Sequence, residues 1–159
     1  MQQSRKRLTV EQARQKALRY CAYQERCHQE VKNKLYEYGL NSSDADELLS
    51  YLITEGFLNE ERFAKLFAGG KFRIKHWGRV KIVHALEAKG ISKKCIQIGL
   101  KEIEEADYQL TLEKLITEKL EQAETEDRFV TRNKISQSVI QKGFEPELVW
   151  KALKKALPD

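Results

Sequence analysis

An apolar pattern built around a glycine recurs three times along this chain of 159 residues. The glycines are Gly39, Gly90 and Gly143, which lie 51 and 53 residues apart. Apolar residues precede each glycine by four and eight positions, and another follows it at once. This spacing is typical of a helix that ends at a left-handed glycine, with the next apolar side chain folded back on the helix. The repeated apolar residues are Val31, Leu35 and Leu40, then Ile82, Leu86 and Ile91, and finally Ile135, Val139 and Phe144.

Further apolar residues follow each glycine at helical spacing, and no stretch alternates like a β-strand over a useful length. Amphipathicity alone would give such spacing in any helical bundle. The recurrence of seven aligned positions in every copy, the glycine among them, favours a true repeat. We therefore predict an all-α protein with three tandem three-helix repeats that form an elongated, curved body. The predicted domains are a flexible basic tail at residues 1–8 and repeats at 9–56, 57–106 and 107–159.

Small and polar residues predict where individual helices begin, end or meet. The Gly69-Gly70 pair can end or bend the first helix of the middle repeat, although Phe72 and Ile74 indicate some continuation of that helix. Gly99 is predicted to mark a close approach between two helices. Trp150 is interpreted as a core residue. Helix N-caps are predicted at Thr9 with Gln12 as its capping-box partner, at Asn59 with Arg62 at the third helical position, at Ser92, and at one of residues 42–44.

The net charge of +5 is concentrated in the middle of the chain. Residues 57–106 carry 11 basic and 6 acidic side chains, and residues 71–81 contain no acidic residue. Basic residues that flank an aromatic ring can neutralise phosphates and stack on bases, and they fit an acidic protein groove equally well. The candidate partner- or nucleic-acid-binding residues are Lys71, Arg73, Lys75, His76, Trp77, Arg79, Lys81 and Arg62.

Two of these candidates have a plain structural alternative. Trp77 is a core residue at a helix entry if the basic side chains around it form only a solvated face. Arg62 forms a local ion pair with Glu55 or Glu61 if it does not contact a partner. The sequence leaves both interpretations open.

Motifs of common enzymes and metal sites are absent from the sequence. It has no glycine-rich phosphate loop and no HExxH pair, and its Cys and His residues lack metal-ligand spacing. The three cysteines are odd in number, which favours reduced thiols in the cytoplasm. No apolar run approaches the roughly 20 residues that a membrane span needs. We therefore expect a cytoplasmic protein that is not an enzyme and has no cofactor and no metal.

Three segments within about residues 13–103 resemble the bacterial RecX family, regulators of the RecA recombinase. The segment after Gly56 and the segment around Trp77, occurring one after the other, are more specific to this family than the first segment is. Two departures stand out: Cys27 replaces a usual Ser or Thr cap, and Gly69-Gly70 lies where basic residues are common. The matching segments are Ala17 to Arg26 with Glu30-Val31 and residues 35–39, then Phe57 to Ala64 (FLNEERFA), and Trp77 to Ile82 (WGRVKI) with Leu86 and Lys89-Gly90-Ile91.

The resemblance implies a non-enzymatic modulator that lies in the groove of the RecA–DNA filament and limits its extension or activity in DNA repair and recombination. The implied partners are the RecA filament and single- or double-stranded DNA, with no membrane and a monomeric chain. Inhibition is the expected direction of the effect. The alternative is a DNA-binding protein of tri-helical Myb-like repeats, which would place several tryptophans in each repeat core. With two tryptophans in the whole chain, that alternative ranks lower, and a general interaction scaffold is a third.

Overall fold

A computed structural model describes residues 7–158, and within that range the chain folds into nine α-helices without a β-strand. The all-α helical prediction is therefore confirmed. Residues 1–6 of the predicted tail lie outside the described residues, whereas the N–H of Leu8 donates to the carbonyl of Tyr38 at 3.0 Å. The helices are α1 (Val10–Tyr23), α2 (His28–Glu37), α3 (Ser42–Thr54), α4 (Glu60–Lys75), α5 (Arg79–Ala88), α6 (Lys93–Leu100), α7 (Glu105–Glu121), α8 (Arg128–Gln141) and α9 (Pro146–Ala156).

The three repeated glycines close α2, α5 and α8 as the sequence predicts. Gly39, Gly90 and Gly143 have φ angles of +90°, +77° and +104°, the left-handed region that a side chain with a β-carbon disfavours. After the first of them, the N–H of Leu40 donates to the carbonyl of Leu35 at 3.2 Å, and the same bond follows the second glycine. These bonds occupy carbonyls that the helix end would otherwise leave unpaired, and the next apolar side chain is buried.

Three of the four predicted helix starts are confirmed by side-chain hydrogen bonds. Thr9 forms a capping box with Gln12, Asn59 accepts from the N–H of Arg62 at 2.8 Å, and Ser92 accepts from the N–H of Cys95 at 3.3 Å. The prediction of a cap at residues 42–44 is wrong by one residue. The cap of α3 is Asn41, whose side chain accepts from the N–H of Asp44 at 2.8 Å.

The helices pack around two apolar cores of unequal extent. Helices α1–α3 enclose one of them, while α4–α9 share the other as a single continuous cluster. Cys27, in the link between α1 and α2, is fully buried and belongs to the larger cluster. The smaller core contains Ala13, Ala17, Val31, Leu35, Leu40, Ala45, Leu48, Leu52 and Leu58.

The two glycine predictions for the middle of the chain have opposite outcomes. Gly99 does mark a close approach, because a β-carbon there would lie 2.7 Å from the carbonyl oxygen of Ala64 on α4. The Gly69-Gly70 pair does not end α4, which continues to Lys75. Burial of Ala68 and Phe72 on either side of the pair holds this turn against the core, so tertiary packing outweighs the weak helix propensity of glycine.

The interpretation of Trp150 as a core residue is wrong. Its side chain is 41% exposed, while Val149 and Leu153 on the same helix are fully buried. The buried face of α9 consists of Val149, Ala152 and Leu153, and the indole of Trp150 lies outside it.

Candidate partner-binding surface

Residues 71–81 span the end of α4, a short turn and the beginning of α5. His76 ends α4 in the left-handed conformation with φ of +56°, unusual for a residue other than glycine. The N–H of Trp77 then donates to the carbonyl of Lys71 at 3.1 Å. This reversal brings lysines from both helices to the same indole. The Nζ atoms of Lys71 and Lys81 lie 4.9 and 4.5 Å from the ring centroid of Trp77.

Trp77 belongs partly to the core and partly to the surface. Its half-buried indole packs edge-to-face against Phe67, with ring centroids 6.4 Å apart, and it borders the larger core. The two ammonium groups beside it are attracted by the negative charge of the ring face. The indole therefore holds Lys71 and Lys81 near each other without neutralising either charge.

The remaining basic side chains of this segment lie at the exposed end of α4. Arg73, Lys75 and His76 are exposed, and the neighbouring Ile74 is 76% exposed. Gly69 allows Arg73 to lie back along the helix, because a β-carbon at Gly69 would be 2.5 Å from its Nη2 atom.

Four of the five Lys and Arg side chains in residues 71–81 lack a carboxylate partner in the described part of the chain. Among residues 7–158, no carboxylate oxygen lies within 4.0 Å of a charged nitrogen of Lys71, Arg73, Lys75 or Lys81. We call these four residues, with His76 and Trp77, the basic surface. Its charge is available to an anionic partner.

Arg79 has a different environment from the other candidates. Its Nε and Nη2 atoms donate to Glu145 at 3.0 and 2.7 Å, and its Nη1 atom donates to Glu105. The guanidinium carbon lies 4.0 Å from the ring centroid of Tyr108, whose hydroxyl donates to Glu145. Only 23% of the Arg79 side chain is exposed. Its hydrogen-bonding capacity is therefore largely used within the chain.

Ionisation of this cluster follows from burial and hydrogen bonding. Burial raises the pKa of the Tyr108 hydroxyl, and the bond to Glu145 raises it further. For Arg79, burial opposes the charged form, but the bonds to Glu105 and Glu145 outweigh it and raise the pKa. The guanidinium stays charged, and the phenol stays neutral, throughout the physiological range.

The backbone around Arg79 joins two parts of the chain that are distant in sequence. The N–H of Gly78 donates to the carbonyl of Lys142, and the N–H of Val80 donates to the carbonyl of Gly143, both at 2.9 Å. A β-carbon on Gly78 would lie 2.2 Å from the carbonyl carbon of Gly143, so only glycine fits without a shift. The beginning of α5 is thus fixed on the turn after α8.

Arg62 also bonds within the chain, but with neither of the partners that its sequence position suggests. Its Nε atom lies 2.5 Å from Glu25, in the link between α1 and α2, and its Nη2 atom donates to the carbonyl of Gly56 at 3.1 Å. A second ion pair joins the same two regions, since Lys89 Nζ lies 3.1 Å from Glu30. These pairs connect α1 and α2 to α4 and α5.

The acidic partners of Arg79 and Arg62 are not evident from the sequence. Glu145 lies 66 residues from Arg79, and Glu25 lies in another predicted repeat from Arg62. With 24 acidic residues in the chain, nothing in the local sequence distinguishes these carboxylates from solvated ones.

The described residues contain neither a cluster of metal-ligating side chains nor a membrane-spanning helix. Within residues 7–158 no group of three or more His, Cys, Asp or Glu side chains is placed to hold a metal ion. None of the helices in that range combines the length and apolar character required to cross a membrane.

Comparison with known proteins identifies two groups of three helices, α1–α3 and α4–α6, as domains of a known family. Residues 13–52 match the first three-helix domain of RecX, and residues 59–100 match the second. Together these matches cover about half of the chain, and they favour RecX over Myb-like repeats.

Curated relatives and solved structures agree with these matches. Regulatory protein RecX of Lactococcus lactis subsp. cremoris (strain SK11) is 30% identical over 138 residues, which is 84% of this chain and 51% of the relative. Regulatory protein RecX of Finegoldia magna is 26% identical over 130 residues, which is 80% of this chain and 63% of the relative. The chain thus spans about half the length of the first of these relatives.

The fold is also that of solved RecX structures. The crystal structure of RecX from Lactobacillus salivarius superposes with a TM-score of 0.84 and 21% identity, covering 92% of this chain and 95% of that one. A crystal structure of regulatory protein RecX gives a TM-score of 0.82 at 19% identity, covering 92% and 71% of the two chains. Two matched domains, the curated relatives and the shared fold together show that this chain belongs to the RecX family.

Proposed function

We propose that this chain is a cytoplasmic, monomeric and non-enzymatic regulator that binds the RecA recombinase filament and inhibits its ATPase and recombination activity in DNA repair. The family assignment supports a regulatory role, since its curated members are named regulatory proteins. The observation that carries the proposal is the basic surface. Lys71 and Lys81 lie beside Trp77, and Arg73 and Lys75 are exposed at the end of α4. None of these four side chains has a carboxylate partner among residues 7–158.

The basic surface contacts the partner in this proposal. Its cations fit either an acidic surface of RecA or the phosphates of the DNA that the filament holds. Arg79 and Arg62 have positioning roles instead, because their guanidinium groups already bind carboxylates of other helices and links. They orient the helix triplets on which a long surface for a filament depends.

The test is a titration of the protein into RecA filaments with ATPase and strand exchange as readouts. We expect the wild-type chain to inhibit both at stoichiometric ratios. The variant with Lys71, Arg73, Lys75 and Lys81 all changed to Glu should keep its helical circular dichroism and lose inhibition. The matched control changes four exposed lysines of α7 and α9 to Glu, namely Lys114, Lys151, Lys154 and Lys155.

Three results would each count against a part of the proposal. Unchanged RecA activity with the wild-type chain would remove RecA as the partner. Inhibition by the charge-reversed variant equal to that of the control would remove the basic surface from the mechanism. Binding that resists high salt would also argue against phosphate contacts, because these weaken steeply as salt rises.

A further inference from the structure

A second surface with alternating aromatic and basic side chains lies on α1, α2 and the link between them. Lys16, Tyr20 and Tyr23 are spaced by four and three residues along α1, so they share one face of that helix. Helix α2 and the preceding link place further side chains against this face. We call the set the tyrosine strip; it consists of Lys16, Tyr20, Tyr23, Arg26, Lys34 and Tyr38.

Each ring of the tyrosine strip has a cation beside it. The guanidinium carbon of Arg26 lies 3.8 Å from the ring centroid of Tyr20 and 5.8 Å from that of Tyr23. Lys34 Nζ lies 5.5 Å from the Tyr20 centroid, and Lys16 Nζ lies 5.8 Å from the Tyr38 centroid. Arg26 is also fixed by a hydrogen bond from its Nε atom to the carbonyl of Tyr20 at 3.1 Å. The stack of Tyr20, Arg26 and Tyr23 is therefore formed before any ligand arrives.

The strip combines anchored rings with one open ring. Tyr20 and Tyr38 are half-buried against the core of α1–α3, whereas Tyr23 is 82% exposed. The face of the Tyr23 ring is thus open to a flat partner, with the Arg26 guanidinium already at its side.

Acidic residues near the strip are mostly engaged elsewhere. Glu25 pairs with Arg62, Glu30 pairs with Lys89, and Glu37 pairs with Lys34 of the strip itself at 3.2 Å. Within residues 7–158, Lys16 and Arg26 have no carboxylate oxygen within 4.0 Å of their charged nitrogens. The strip therefore carries positive charge next to an open aromatic face.

We propose that the tyrosine strip binds single-stranded nucleic acid, with an unpaired base stacked on Tyr23 and neighbouring phosphates held by Arg26 and Lys16. Only single strands present base faces that can leave the stack and lie on an aromatic side chain. The bases of a duplex are covered by their neighbours, and an acidic peptide offers charge without the flat ring that fits Tyr23. The family resemblance already implies single-stranded DNA as a partner. The proposal goes beyond it by assigning this contact to the tyrosine strip, a set of residues separate from those of the basic surface.

The test compares two probes on the intact chain by fluorescence anisotropy. One is fluorescein-labelled oligothymidylate, and the other is an abasic phosphodiester of the same length and charge. We expect Tyr23→Ala to weaken oligothymidylate binding by about fivefold or more, and to leave abasic binding unchanged. Tyr23→Phe should bind as the wild-type chain does, because it keeps the ring. Tyr36→Ala, an exposed tyrosine of α2 outside the strip, is the matched control and should also bind normally.

A photocrosslinking experiment locates the contact independently of affinity. An oligonucleotide with a halogenated pyrimidine should crosslink to the peptide that contains Tyr23, and Tyr23→Ala should abolish that product. The proposal is overturned if Tyr23→Ala leaves oligothymidylate affinity unchanged, or if the wild-type chain binds the abasic probe equally well. Competition by polyglutamate as effective as by oligothymidylate would also overturn it, since it would assign the strip to an acidic protein.

Discussion

Arg79 donates two hydrogen bonds to the carboxylate of Glu145, a residue 66 positions further along the chain. The same carboxylate accepts from the hydroxyl of Tyr108, and the hydroxyl in turn accepts from the N–H of Arg79 at 3.1 Å. These three residues link the beginnings of α5, α7 and α9. Arg79 belongs to one of the sequence segments that resemble the RecX family. The structure shows that two of its partners, Tyr108 and Glu145, lie in the last third of the chain.

Glu145→Gln should destabilise the chain by about 2 kcal/mol, because it leaves the half-buried Arg79 with a neutral partner in place of a carboxylate. Urea denaturation followed by circular dichroism measures this loss. Glu147→Gln is the matched control, since Glu147 is an exposed carboxylate in the same first turn of α9. Equal midpoints for the two variants would show that the Arg79–Glu145 pair contributes no more than a solvated charge.

Alanine substitutions at two glycines of the middle region should have opposite effects. Gly78→Ala should cost about 2–3 kcal/mol, because its β-carbon would overlap the backbone of Gly143 and force α5 away from the turn after α8. Gly70→Ala should stabilise the chain by about 0.5–1 kcal/mol, because nothing lies within 4 Å of the new methyl group and alanine favours the helix. Thermal unfolding of both variants measures the two changes. A stabilising Gly78→Ala would contradict the contact between the beginning of α5 and the turn after α8.

Stability should fall in alkaline solution partly through Tyr108. Its pKa in the folded chain is raised by burial and by the bond to Glu145, above the ordinary value of about 10. The folded chain therefore holds this proton more tightly than the unfolded chain. The stabilisation is complete below about pH 10 and is lost as the pH rises further.

Urea denaturation at a series of pH values from about 8 to 11 tests this dependence. Tyr108→Phe should be less stable than the wild-type chain at the lower end and should lose less stability over the series. Tyr23→Phe removes an exposed hydroxyl, so its free energy of unfolding should fall with pH as steeply as that of the wild-type chain. If the free energy of unfolding of Tyr108→Phe fell as steeply with pH as that of the wild-type chain, the loss of stability in alkaline solution would arise from other groups.

Cys27→Ser should stabilise the chain by about 0.5–1 kcal/mol. Cys27 is the N-cap of α2 but makes no capping hydrogen bond, and its thiol donates to Glu30 at 3.3 Å. A serine hydroxyl can keep that bond and also accept from the N–H of Glu30, as in a capping box. Cys95→Ser, at a half-buried position within α6, is the control and should not stabilise. A lower melting temperature for Cys27→Ser would show that burial of the hydroxyl outweighs the cap.

Local signals in the sequence predicted much of the helical framework. The caps at Thr9, Asn59 and Ser92 and the left-handed glycines depend on residues within a few positions of each other, so spacing alone identifies them. The same holds for the close approach at Gly99, where a glycine inside an apolar helix indicates contact.

The errors and omissions arose where distant parts of the chain decide the outcome. The Gly69-Gly70 pair remains helical because neighbouring side chains are buried in the shared core. Trp150 is exposed because the packing of α9 on α7 and α8 sets which side faces inward. Within the candidate site, the local cluster of cations was visible in the sequence, but the acidic partners of Arg79 and Arg62 are brought near only by the fold.

The helices meet at two joints that differ in stiffness. The first joint lies between α1–α3 and the remaining helices, and the second lies where α5 contacts the turn after α8. Helices α4–α9 share one apolar interior and are joined by backbone bonds at Gly78 and Gly143, contacts that salt does not screen. Helices α1–α3 meet them through Cys27 and the two half-exposed ion pairs of Arg62 and Lys89. Bending should therefore concentrate at the first joint, and rising ionic strength should loosen that joint and spare the second. The orientation of the three amino-terminal helices is therefore set in part by contacts that salt weakens.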